Sequence, residues 1–86
     1  MKIEEAIHFV NEYKKTGWKY VAHHMEEKAG ILIRICKKLD QVDENGFQYK
    51  VIQKREIPYQ LIEAMTKNQF LEAFHEVIQK AEDEKG

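Results

Sequence analysis

The chain has one cysteine and one proline among its 86 residues, and only four glycines. The lone thiol, Cys36, has no internal partner, so no disulfide can staple the fold; a reducing, cytoplasmic setting is the expectation. No apolar run is long enough to span a bilayer, and Met1-Lys2-Ile3-Glu4-Glu5 does not read as a signal peptide, so no membrane role is expected. Glycine-rich phosphate loops are missing, since Gly17, Gly30 and Gly46 fall at expected turns and Gly86 at the end. Cys-x-x-Cys and His-Glu-x-x-His spacings are missing too. His23-His24 cannot replace them, because neighbouring side chains on a strand point to opposite faces. No metal, cofactor or small-molecule ligand is therefore expected. A nucleophilic Cys36 would need a base, an orienting third group and oxyanion donors. His23, on a neighbouring strand, could come within its reach, but nothing supplies the rest, and no catalytic residue is assigned.

An excess of charge of one sign is also lacking. Fourteen basic and fifteen acidic residues leave a net charge of −1. The distribution is uneven, however. Seven bases face two acids between Lys14 and Lys38, and five acids face two bases from Glu72 onward. Such asymmetry directs attention to a basic surface and a negative partner.

Hydrophobic residues make up 43% of the chain, enough for one core, and residues 1–86 read as a single domain with a frayed tail at 82–86. Ile31, Ile33, Ile35 and Leu39 recur at every second position, and so do Phe47, Tyr49, Val51 and Ile57. Each series is the period of a strand with one buried face. Asp43-Glu44-Asn45-Gly46 between them is a hairpin signal. A two-residue Asn45-Gly46 turn would split the apolar set between two faces. A three-residue loop, Glu44-Asn45-Gly46 with Gly46 left-handed, pairs Leu39 with Val51 and Ile33 with Ile57, and keeps the apolar set together.

Residues 2–15 carry Ile3, Ala6, Ile7, Val10 and Tyr13 at helical spacing, and Gly17 is placed to end that helix. Residues 18–29 admit two readings. A helix would align Trp18, Val21, Ala22, Met25 and Ala29; a strand would align Trp18, Tyr20, Ala22 and His24. The strand is preferred, because a third strand lets the hairpin cover a core. Pro58 closes the last strand and opens a short helix with Leu61, Ile62 and Met65. Thr66-Lys67-Asn68-Gln69 is a capping box, and the helix it starts carries Phe70, Leu71, Phe74, Val77, Ile78 and Ala81 on one face. The expected fold is α+β in the order α-β-β-β-α-α, a three-stranded antiparallel sheet with helices on its odd-numbered face.

The even-numbered face of that sheet is the candidate site. It is expected to display Lys19, Arg34, Lys38, Lys50 and Lys54, with Ile52, Val21, His23, Leu32 and Cys36 between them and no acid before Glu56. An ordinary solvated sheet face is the simplest reading of such a pattern. The functional reading is a non-enzymatic interaction module, an adaptor, inhibitor or accessory regulator. It would dock an acidic protein through Lys19, Arg34, Lys38, Lys50, Ile52 and Lys54, or associate with itself through the apolar seam. The alternative is nucleic acid. In element order, helix–three strands–helix over residues 1–82, the chain resembles the double-stranded RNA-binding domain. Lys67, beside Asn68 and Gln69, stands where that family carries a lysine cluster, and the resemblance implies RNA binding. Recognition of single strands on the sheet would need exposed aromatics for stacking, and Trp18, Tyr20, Phe47 and Tyr49 are all expected on the buried side.

Overall fold

A computed structural model describes residues 1–44 and 46–84, with the backbone alone for Gln41, Val42, Asp43 and Phe47. The elements are α1 (Ile3–Glu12), β1 (Trp18–His24), β2 (Gly30–Asp43), β3 (Gly46–Pro58), α2 (Tyr59–Ala64) and α3 (Lys67–Asp83). The strands form one antiparallel sheet in the order β1-β2-β3. The α+β architecture expected from the periodicities is the one observed, and residues 18–24 form a strand.

The core lies between the sheet and the helices. Ile31, Ile33 and Ile35 from β2, Tyr20 and Ala22 from β1, and Ile57 from β3 meet Ala6 and Val10 of α1 and Phe70, Phe74, Val77, Ile78 and Ala81 of α3. Phe74 is fully buried, with edge-on rings of Phe9, Tyr13 and Tyr20 around it at 5.2–5.9 Å. The capping box forms as its spacing predicts. Gln69 N–H donates to Thr66 Oγ1 at 3.2 Å, and Thr66 N–H donates to Gln69 Oε1 at 2.8 Å.

Three local expectations change. Helix α1 stops at Glu12 rather than running to Lys15, because Tyr13 turns extended and lays its ring against Tyr20 and Phe74. Gly17 therefore does not cap α1; its carbonyl accepts from Lys38 N–H at 2.9 Å, at the entry to β1. The tail is held further than expected, since Glu82 ion-pairs with Lys15 and Glu84 accepts from Gln53 Nε2. Lys85 and Gly86 lie outside the described residues.

The hairpin register also departs from the expected one. Ile31, not Ile33, opposes Ile57; Ile33 opposes Arg55, and Cys36, not Leu39, opposes Val51. The end away from the loop sets this phase. Ala29 C=O accepts from Tyr59 N–H at 2.9 Å, and Gly30 opposes Pro58 so closely that a Cβ there would lie 2.7 Å from Ile57 O. At the loop, Asp43 opposes Gly46, so Gly46 opens β3 instead of sitting within a three-residue loop. Its φ of +105° is the left-handed conformation expected of it, while Asn45 lies outside the described residues. Two irregularities reconcile the ends. Between the pairs Ile35–Gln53 and Cys36–Val51, Ile52 is an extra residue on β3; between Lys38–Tyr49 and Val42–Phe47, β2 carries Leu39, Asp40 and Gln41 against Gln48 alone.

Candidate functional site

Helices cover one face of the sheet and leave the other open. Residues directly opposed across an antiparallel pair share a face. The rows Lys19–Cys36–Val51, Val21–Arg34–Lys54 and His23–Leu32–Glu56 therefore lie together on the open face, with Lys38 and Tyr49 beyond them. Lys19, Arg34, Lys38 and Lys54 are thus where the alternation placed them.

Lys50 and Ile52 are not. A bulge adds one residue to a strand, so the side-chain alternation on one side of it is offset from the other. Ile52 packs on the core, and Gln53 reaches Glu84, the residue that caps the end of α3, so both point to the helix side. Lys50 opposes Lys37, whose ammonium lies 5.9 Å from the ring centre of Trp18, and it shares a shallow cleft with Ile52 and Glu84. The same offset brings Val51 and Tyr49 to the open face at 38% and 43% exposure, against the expectation that Tyr49 is buried. Lys19 Nζ stands 5.5 Å from the Tyr49 ring centre, a cation–π contact spanning the three strands. The side chain of Phe47, expected beside Tyr49, lies outside the described residues. A sequence signal for the offset exists in hindsight: Gln53 and Arg55 interrupt the odd apolar row, and Ile52 interrupts the even polar one.

At the centre of this face stands Arg34, on the middle strand between Val21 and Lys54. Its Nε is buried and has no hydrogen-bond partner. A guanidinium N–H left without an acceptor costs the isolated chain stability, a cost relieved when the side chain swings out to meet one. Cys36 lies beside it and is buried; burial pushes its thiol up, with Arg34 and Lys19 pulling in the opposite direction. The thiol is held as the neutral form, the less reactive one. His23 opposes Leu32, four positions along β2 from Cys36, so the two groups do not meet as expected.

One constellation had no sequence signal. His24 turns to the helix side, where its Nε2 lies 2.7 Å from Glu4 Oε1 and its Nδ1 2.6 Å from Tyr59 Oη. A carboxylate only accepts, so Nε2 donates to Glu4, while Nδ1 shares the second hydrogen bond with the tyrosine hydroxyl. The order carboxylate, imidazole, hydroxyl is that of a proton relay, but these side chains line neither the cleft at Trp18 and Tyr49, nor that at Lys50 and Glu84, nor that at Met25 and Glu56. Its visible effect is to tie α1, β1 and α2 together. Among the described residues, no group of three or more His, Cys, Asp or Glu could hold a metal ion, and no helix is long and apolar enough to cross a membrane.

No family model, no curated protein and no solved structure matches this chain.

Proposed function

We propose that this protein is a small interaction module whose open sheet face docks a carboxylate-rich protein surface, with no catalytic step of its own. The observation that carries this reading is Arg34, a cation at the middle of an uncovered sheet with a buried, unpartnered Nε–H. A carboxylate meets such a group with two parallel hydrogen bonds. Lys19 and Lys54 add positive charge on either side, while Glu56, the acid on this face, is neutralised by Lys28 at 3.0 Å. Val21, Leu32, Val51 and Tyr49 interleave with the cations and favour a protein surface over a phosphate backbone, which offers little apolar area to bury.

The test is a triple charge reversal, Lys19→Glu, Arg34→Glu and Lys54→Glu, beside a control reversal of Lys2, Lys67 and Lys80. The control should fold, because exposed charges contribute little to stability; the first variant replaces the half-buried Arg34, so its fold is verified by circular dichroism before capture is compared. Nuclease-resistant capture of a protein from a lysate should be lost with the first variant and kept with the second. Equal capture by the two would remove the face from consideration. Capture that vanishes with nuclease and falls steeply with salt would install the nucleic-acid reading in its place.

A further inference from the structure

The two edges of the sheet are treated differently, and the difference identifies how a partner engages. Backbone groups in an antiparallel sheet alternate between neighbouring strands. Lys38 N–H donates toward β1, to Gly17, and Ala29 C=O accepts from the β3 side, from Tyr59. Even-numbered β2 residues therefore serve β1, and odd-numbered ones serve β3. It follows that Trp18, Tyr20, Ala22 and His24 turn their backbone groups to the outer edge of β1. In β3, Gln53, Arg55 and Ile57 turn inward, while Lys54 and Glu56 turn outward. Pro58, which has no N–H to offer, falls at the next outward position, as an edge strand requires.

The β1 edge is covered at its middle, at Ala22. The carboxamide of Asn11, on α1, donates to Ala22 C=O at 3.1 Å and accepts from Ala22 N–H at 2.9 Å, taking the place of a neighbouring strand. Among the described residues nothing does the same for Lys54 and Glu56. Their N–H and C=O groups form an open ladder beside the docking face, next to a bulge that already bends the strand.

We infer that this β3 edge takes up an extended acidic segment of the protein partner as a fourth strand. The inference rests on the docking function proposed above and supplies its recognition element. Charge selects the occupant. Lys54 lies on the open face in one row with Arg34, and Lys50 lies on the helix side, where Arg55 is held 3.9 Å from Glu76. A second copy of β3, paired antiparallel about Arg55, would bring Arg55 against Arg55 but Lys54 against Glu56, so self-pairing is the competing occupant, read out as peptide-free dimerisation. A segment rich in glutamate and aspartate would instead be attracted along its length, while backbone hydrogen bonds set its register.

The experiment uses the full chain and a fluorescein-labelled alternating glutamate–valine peptide, with an alternating lysine–valine peptide as control. Binding of the acidic peptide should slow amide hydrogen exchange at Lys54 and Glu56 and leave Gln53 and Arg55, already bonded to β2, unchanged. Lys54→Pro removes one outward N–H and should weaken binding about tenfold beyond Lys54→Gln, which removes the charge alone. Exchange data on the unsubstituted chain keep the test informative should the proline variant fold poorly. Three results would each overturn the inference: no binding of the acidic peptide, binding without protection at Lys54 and Glu56, or peptide-free dimerisation that protects the same amides. Binding that survives Lys19→Glu with Arg34→Glu yet still protects those amides would retain the edge and reject the face, so the two readings fail separately.

Discussion

Tyr20 shows how an aromatic can serve the core and burden it at once. Its ring is 96% sheltered between Tyr13 and Phe74, yet its hydroxyl is buried without a partner. Burial, reinforced by Tyr13 and Glu82, pushes the phenol from 10.0 up to about 12. The folded chain thus holds this proton more tightly than the unfolded chain does. The resulting stability is complete below pH 10.0 and is lost as pH climbs toward about 12. Tyr20→Phe should flatten this alkaline decline in urea-unfolding midpoints. At neutral pH it should cost less than about 1 kcal/mol, because it deletes a polar group that has no partner to lose. A larger neutral-pH loss would mean that the hydroxyl makes a hydrogen bond after all.

At the level of elements, what could be read in the sequence followed from periodicity, and what could not followed from its interruption. The α3 stripe from Phe70 to Ala81, its Thr66 cap, the odd rows of β2 and the strand at Trp18–His24 each depend on neighbours a few positions away. Local patterns of that kind are visible in one chain. The hairpin register depended on Gly30 meeting Pro58 across the sheet, and on Ile52 as an unpaired residue, neither of which a two-residue repeat reveals. Hence four of the six expected face residues are in place, and Lys50 and Ile52 are on the other side. Asn11 was invisible for a similar reason, since its partner Ala22 lies on another element. Asn11→Ala would leave the N–H and C=O of Ala22, a buried residue, without partners. The expected loss is about 1–3 kcal/mol, together with concentration-dependent association through the bared β1 edge. Chemical denaturation and sedimentation measure the two effects, and a variant that is both stable and monomeric would show that the edge needs no such cover.

Across the whole molecule, helices occupy one side of the sheet so completely that chemistry on the other side is free to vary without touching the core. The molecule measures 41 by 26 by 19 Å, and the far end of the hairpin extends past β1, whose pairing stops at Lys37. Ile52 governs how that arm relates to the body. It is the one residue of β3 that occupies no rung between Gln53 and Val51, so the strand carries a spare unit of length. Removing it should leave every residue beyond it on its present side, at the cost of one half-buried side chain. Removing Lys54 instead should bring Gln53 opposite Arg34 and Ile52 opposite Ile35, so the same spare residue is taken up and the arm again keeps its side. Removing Ile52 and Lys54 together exhausts the spare unit and should turn the arm over, exchanging Tyr49 for Lys50 on the open face. A magnetisation-transfer contact between Lys19 and Tyr49 should persist in either single deletion and vanish in the double one. The chain can thus lose one residue from this strand without rewriting its surface, and gains a different surface only on losing a second. Length itself, in this strand, is a variable on which selection can act.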